Sequence, residues 1–200
     1  MTTPLPIASP ASVSTALASP VLDALREAAA VAGLTVSSSA AWPQAEGDRV
    51  VTPLAGFVES NFSPLLAEVA GRALRGRAGG AAGQVTAIVM VTALGDVTSA
   101  ARVAAAVDAG GRVAPLLFFQ SVPNAVAGYL ARRWHLTGPV VCVSSTSAGA
   151  DVAALLIADG DADEALVVRV DLGVTDGDQD QAAAILVAGP ARRERARTSA

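Results

Sequence analysis

Hydroxyl-bearing residues that could act as a nucleophile follow a short apolar stretch in the second half of the chain. The segment 138–149 opens with Gly-Pro, runs through the apolar Val140–Val143, and then includes Ser145, Thr146 and Ser147. This order predicts a strand, a sharp turn and the start of a helix. The N–H groups at the start of a helix stabilise a developing negative charge, which suits nucleophilic chemistry. Serine and threonine are also common helix caps, so these residues on their own favour a structural role.

The same junction is similar to the Gly-x-Ser-x-Gly turn that carries the nucleophile of many hydrolases, with Ser145 in place of the first glycine. A nucleophilic serine needs a general base. The one histidine, His135, precedes Ser147, whereas the histidine of that motif comes last in the chain. His135 also ends a predicted helix, where a capping or surface role is favoured. A serine-dependent acyltransferase or thioesterase that acts on acyl thioesters through Ser147 is kept as an alternative function.

The elements that position this junction follow from hydrophobic periodicity and capping residues. Val140–Val143 is predicted to be a buried strand, and Cys142 within it a small core residue. Alternation of strands and helices predicts an α/β fold with a mixed, mostly parallel sheet of about five strands flanked by helices. The predicted helices are Pro20–Gly33, Ser63–Leu74 with a cap at Ser63-Pro64, Thr98–Ala109, Val122–Trp134 capped by Ser121, and Ser147–Ala158. The predicted strands are Leu34–Trp42, Val85–Val91, Val140–Val143, Ala165–Val170 and Ala182–Val187.

Composition limits the class of protein. The 200 residues are 52% hydrophobic, which is enough for one core. We divide the chain into a flexible N-terminal segment at 1–18, a folded domain at 19–190 and an Arg-rich tail at 191–200. The net charge of −4 argues against nucleic acid as a partner. The longest apolar run, Val85–Leu94, is too short to span a membrane, so we expect a soluble cytoplasmic protein.

Four segments, in chain order, resemble the N-terminal half of β-ketoacyl synthases, which have a thiolase-like fold. With Asn61–Leu74, which resembles the family's early helix before the first core strand, they place the resemblance over roughly residues 57–190 and imply that 19–190 is a ketosynthase-like N-terminal domain. They are Phe118–Gly128 with its Asn-Ala helix start, Gly138-Pro139 at the nucleophile strand, Gly160–Val168 with its Gly-x-Ala-Asp turn, and the closing strand Gln181–Val187.

The resemblance also implies that the catalytic parts are missing. Counted without a gap from Gly138-Pro139, Ser147 stands where the family has its catalytic cysteine, and Thr146 is the next candidate for that vestigial position. An unassisted serine hydroxyl is a much weaker nucleophile than a thiolate. Cys142 lies inside the predicted strand and is no substitute. The two catalytic histidines of the family belong to its C-terminal half, which this sequence does not include.

The chain is most similar to short, cysteine-less ketosynthase-like subunits of the chain-length-factor type. That resemblance implies a non-catalytic subunit that pairs with an active, cysteine-containing ketosynthase in type II fatty-acid or polyketide biosynthesis. It implies a heterodimer or homodimer, contact with an acyl carrier protein as a further possibility, and no cofactor or metal. A self-associating structural protein without an acyl ligand is the second alternative. The residues implied at the acyl pocket or interface are Phe118, Phe119, Gln120, Asn124 and Cys142.

Overall fold

The structure is a computed structural model that describes residues 17–45, 47–48, 50–57, 59–77, 83–175 and 177–190. The predicted N-terminal segment, apart from its last two residues, lies outside these ranges. The Arg-rich tail 191–200 and residues 78–82 lie outside them as well.

Six helices and five strands form within the described ranges, and the alternation of the two types is as predicted. The helices are α1 Pro20–Val31, α2 Phe62–Arg75, α3 Val97–Asp108, α4 Pro115–Gln120, α5 Asn124–Trp134 and α6 Thr146–Asp159. The strands are β1 Thr35–Trp42, β2 Thr86–Val91, β3 Val140–Val143, β4 Glu164–Asp171 and β5 Gln181–Ala188.

The strands form one sheet in the order β1-β5-β4-β2-β3, which confirms the mixed five-stranded sheet flanked by helices. β2 is parallel to both β3 and β4, whereas β5 is antiparallel to both β4 and β1. Two of the four strand pairs are therefore parallel, whereas the sequence predicted that most would be. The carboxyl ends of β2, β3 and β4 share one edge of the sheet, which we call the carboxyl edge. The end of β1 and the start of β5 lie there too, because Trp42 pairs with Ala182.

Apolar residues cover both faces of the sheet. Ile88 and Met90 of β2 face a cluster built with α2 and α5. Ala87 and Val89, which point the other way because side chains alternate along a strand, face a cluster built with α1 and α6. Burial on both faces explains the continuous apolar runs of β2, β4 and β5 in the sequence.

The predicted starts of two helices are wrong. α2 begins at Phe62 after Asn61, so Ser63 lies buried in its first turn and does not cap it. Ser121 does not cap α5, which begins at Asn124. Ser121 instead ends the short helix α4, which the sequence analysis missed, and its Oγ donates to the carbonyl oxygen of Phe118 over 2.7 Å.

The prediction that β3 is a buried strand is also wrong. β3 is the last strand of the sheet and pairs only with β2 among the described strands. Its residues alternate between exposed and half-buried, and Val140 is 42% exposed. Cys142 is likewise exposed and is therefore not the core residue that the sequence indicated. The apolar side chains of β3 are thus available to another surface.

Candidate functional site

The predicted junction of strand, turn and helix is present at the carboxyl edge. α6 begins at Thr146 directly after β3, and Ser145 caps it, because its Oγ accepts a hydrogen bond from the N–H of Ala148 at 3.3 Å. The Oγ of Ser147 lies 3.4 Å from the Oγ of Ser145, and Ser147 is exposed. A helix start with an exposed hydroxyl is the geometry expected for the vestigial nucleophile position.

An arginine from β4, which is separated from β3 by β2, reaches the same junction. Nη1 of Arg169, near the end of β4, donates to Oγ1 of Thr146 over 2.9 Å. Its Nε and Nη2 approach Oδ2 of Asp171 at 2.9 and 2.7 Å. The hydroxyl of Thr146 thus binds Arg169 and that of Ser145 caps α6, while Ser145 and Ser147 are both exposed. Sequence reasoning missed Arg169, since nothing in the apolar pattern of β4 sets it apart from a surface arginine.

Close packing of α6 against the sheet fixes where this junction lies. A Cβ placed on Gly149 would lie 2.6 Å from Cγ2 of Val91. Only a glycine lets the helix approach β2 so closely. The first turn of α6, with Ser147, is therefore held directly over the ends of the parallel strands.

His135 is not positioned to activate Ser147. It ends α5 in a left-handed conformation with φ of 56°, at the amino end of β3. Ser147 follows the carboxyl end of the same strand. A strand rises about 3.3 Å per residue, so the four residues of β3 separate the two by roughly 10 Å or more. The described part of the chain thus offers Ser147 no imidazole base.

The predicted pocket or interface residues occupy different environments. Phe118 and Phe119 of α4 are 65% and 60% exposed, and Asn124 at the start of α5 is exposed. Gln120 is buried, and its amide donates to the carbonyl oxygen of Gly56, which ties α4 to the loop after β1. The thiol of Cys142 has a raised pKa because neighbouring atoms partly desolvate it. We call the exposed apolar side chains of α4 and the residue that follows Ser121 the α4 surface: Leu116, Phe118, Phe119 and Val122.

A cleft of about 610 Å³ lies at the other end of the carboxyl edge, beside β1. Trp42, Asp48 and Leu65 are among the residues that line it. Both Nη atoms of Arg72 donate to Asp48 at 2.8 and 3.0 Å, and the Arg72 guanidinium stacks 5.1 Å from the centre of the Trp42 ring. Sequence reasoning missed the pair of Asp48 and Arg72, because it joins positions far apart in the chain.

This ion pair predicts a pH-dependent contribution to stability. The hydrogen bond from Arg72 lowers the pKa of Asp48 from 3.8 to about 2. Because the pKa of Asp48 is lower in the folded chain than in the unfolded one, ionised Asp48 stabilises the fold. This contribution is complete above pH 4 and disappears as the pH falls through 2. We expect Asp48→Asn to lower the free energy of unfolding at pH 7 by about 1–2 kcal/mol, after allowance for solvent screening, and to cost almost nothing at pH 2. Urea unfolding at both pH values measures this.

The matched control is Asp23→Asn. The side chain of Asp23 is 72% exposed, and its ion pair with Arg26 is long, with 4.0 Å between Oδ1 and Nη1. It should leave the free energy of unfolding unchanged at both pH values. An equal loss for Asp48→Asn at pH 7 and pH 2 would show that the charge of Asp48 does not stabilise the loop.

No helix of the described ranges is long and apolar enough to cross a bilayer. In those ranges, no three histidine, cysteine or carboxylate side chains cluster closely enough to hold a metal ion.

The mixed sheet of five strands flanked by helices is the thiolase-like fold. One chain of the ketosynthase ApeO in complex with its chain length factor ApeC, from Xenorhabdus doucetiae, superposes with a TM-score of 0.61 and 18% identity. The match covers 79% of both chains, so the two are of about equal length. The ishigamide ketosynthase/chain length factor gives a TM-score of 0.56 and 19% identity over 70% of this chain.

This chain spans a little under half, 46%, of the ishigamide chain that it matches. No protein-family model and no curated protein matches the sequence. At these identities the structural likeness shows the fold, and the fold agrees with the resemblance read from the sequence motifs.

Proposed function

We propose that this chain is a non-catalytic ketosynthase-like subunit of the chain-length-factor type, with residues 19–190 as its ketosynthase-like domain. In this proposal it pairs in the cytoplasm with an active β-ketoacyl synthase of type II fatty-acid or polyketide biosynthesis. The observation that carries the proposal is the open edge of β3, and the exposed α4 surface adds a second apolar area. The ketosynthase/chain length factor complexes of the same fold support a partner of this kind.

The open edge of β3 offers unpaired backbone groups. The N–H of Ile88 donates to the carbonyl oxygen of Pro139 at 2.9 Å, and that of Thr92 to Val143 at 3.0 Å. Backbone groups alternate in direction along a strand, so those of Val140 and Cys142 point away from β2. An exposed edge of this kind is a template for a strand from another chain.

α4 also offers exposed apolar surface. α4 contacts α5, and α5 contacts β3. Exposed large apolar side chains that cluster in this way mark a site of association. In the proposal, Phe118 and Phe119 contact the partner or the acyl chain near the joint pocket, Asn124 and Cys142 lie at the interface, and Gln120 holds α4 in place.

A non-catalytic role is supported by the surroundings of Ser147. Its nearest hydroxyl belongs to the capping Ser145, and His135 lies at the opposite end of β3. A serine without a base stays protonated and reacts slowly with thioesters. Contact with an acyl carrier protein is part of the proposal through the partner, whose cysteine would carry the acyl chain.

The test is co-expression with the cysteine-containing ketosynthase of the same genome neighbourhood, followed by size-exclusion chromatography with light scattering. We expect a stable one-to-one complex. Cys142, the one cysteine of this chain, reports on the edge directly. Its labelling by a maleimide at pH 8, measured by mass spectrometry of this subunit, should slow by about tenfold or more in the complex because pairing buries the open edge.

Two results would contradict the proposal. A well-behaved homodimer that binds no ketosynthase, with Cys142 protected in the homodimer, would favour the self-associating structural protein. Hydrolysis or transfer of acyl thioesters by the isolated chain, with full loss in Ser147→Ala, would show a serine-dependent acyltransferase or thioesterase.

A further inference from the structure

The cleft of about 610 Å³ beside β1 has the size and lining of a site for a small organic molecule. Pockets that bind such ligands span about 300–1,000 Å³, and apolar side chains with a few polar groups line them. Apolar residues predominate here, among them Trp42, Val51 and Leu65, and the polar ones include Asn61 and Asp180. The described residues that line the cleft include no arginine and no histidine. The polar groups therefore decide which ligand the cleft can hold.

Asp180 supplies a carboxylate that no cation of the described ranges neutralises. Nδ2 of Asn61 donates to its Oδ2 over 2.9 Å, and the N–H of Gly173 donates to its Oδ1 over 3.0 Å. These two bonds orient the carboxylate, and no arginine or histidine in those ranges forms an ion pair with it. A carboxylate offers about four acceptor positions, so Asp180 can accept further hydrogen bonds from a ligand. Because Asp180 is half-buried, it attracts a positive charge more strongly than an exposed carboxylate does.

Arg72 does not offset the charge of Asp180. Its guanidinium contacts Asp48 on the lining of the cleft and Glu68 on α2, each at 2.8 Å. The pKa of Asp48 is lowered to about 2, so Asp48 stays ionised at neutral pH. One arginine thus serves two carboxylates, and with Asp180 these residues give the region an excess of negative charge. An anionic ligand is repelled here, whereas a cation is attracted.

We propose that this cleft is a binding site for a small organic ammonium ion, a protonated amine that carries an apolar group. The ammonium donates hydrogen bonds to Asp180, and such charge-assisted bonds are stronger than those between neutral groups. The apolar group packs against Trp42 and Leu65 and leaves water. Ligands that carry phosphate or carboxylate groups are excluded by the same charges that hold the amine.

The cleft is separate from the proposed interface with a ketosynthase. It lies beside β1, and the open edge belongs to β3, the strand at the opposite end of the sheet. Neighbouring strands lie about 4.8 Å apart, so the four spacings between β1 and β3 amount to roughly 19 Å. The inference does not depend on pairing with a ketosynthase, and either proposal can fail while the other holds.

The ligands that test the proposal differ in charge at nearly constant shape. They are phenethylamine, its neutral analogue 2-phenylethanol and its anionic analogue 3-phenylpropanoate, titrated into the full chain at about pH 7.5 and followed by tryptophan fluorescence. We expect phenethylamine to bind with a dissociation constant of about 1 mM or lower, and the anion to bind at least about tenfold more weakly. Ethylamine, which lacks the ring, should show no saturable binding, because it has almost no apolar surface to bury.

Three variants locate the ligand. Trp134→Phe leaves Trp42 as the one tryptophan, and the fluorescence change should persist in it. Asp180→Asn removes the charge and keeps an accepting oxygen, so it should weaken phenethylamine about tenfold and leave 2-phenylethanol within about twofold. The matched control is Asp151→Asn, which makes the same change in net charge at an exposed position of α6 and should leave the affinity for phenethylamine within about twofold.

Equal affinity of the unaltered chain for the amine and the anion would overturn the proposal, as would the absence of saturable binding of the amine. Equal losses in Asp180→Asn and Asp151→Asn would do the same, since the amine would then sense only the net charge. Loss of the fluorescence change in Trp134→Phe would place the amine away from the cleft. The ligand series uses the unaltered chain, so it decides the matter even if Asp180→Asn is unstable.

Discussion

A proline at position 142 is expected to abolish the complex with the ketosynthase and to leave the isolated chain folded. The N–H of Cys142 points away from β2, so proline removes no hydrogen bond within the chain. It removes the N–H that a partner strand needs, and its ring blocks close approach at the centre of the open edge. We expect the dissociation constant to rise by about 100-fold or more, measured by light scattering and titration of the co-expressed pair.

Cys142→Ser is the matched control, because it changes the side chain and keeps the backbone N–H. It should bind the ketosynthase as the parent chain does. Thermal unfolding checks the fold of Cys142→Pro, and Phe118→Asp/Phe119→Asp tests the α4 surface if that proline variant is unstable. A Cys142→Pro variant that is folded and binds normally would show that β3 is not the interface and that pairing uses another surface.

The alternation of elements could be predicted from the sequence because local signals and the fold agree. The apolar runs of β2 and β5 and the Ser19-Pro20 start of α1 each indicate the element that forms. The junction at Ser147 was predictable for the same reason, since small polar residues directly after an apolar strand leave little room for any other geometry. Motif order then gave the thiolase-like fold.

The position of β3 in the sheet could not be read from its residues. An apolar run of four residues is compatible with a buried strand or with an edge strand that another chain covers. Only the strand order distinguishes the two, and strand order depends on contacts between distant residues. The exposure of Cys142 is a consequence of that order. The same limit applies to the pair of Asp48 and Arg72, which the chain brings together from separate elements.

Replacing Gly138 by alanine is expected to destabilise the fold more than any other single change considered for this chain. A Cβ at this position would lie 2.5 Å from the carbonyl oxygen of Thr86 and 2.6 Å from the amide nitrogen of Ala87. Both atoms belong to the backbone at the start of the central strand β2, so neither can move aside as a side-chain atom could. We expect a loss of about 3 kcal/mol or more in the free energy of unfolding, measured by urea denaturation.

Gly128→Ala provides the matched control, because that glycine is exposed in α5 and its added Cβ would meet nothing within 4 Å. A helix gains about 0.5–1 kcal/mol from this change, so the control should unfold at higher urea. If the same substitution lowers the free energy of unfolding at Gly138 and raises it at Gly128, the loss of stability is assigned to the contact of Gly138 with β2. A Gly138→Ala variant as stable as the parent would mean that β3 can shift along β2, and the position of its open edge and of Ser147 would then not be fixed by this contact.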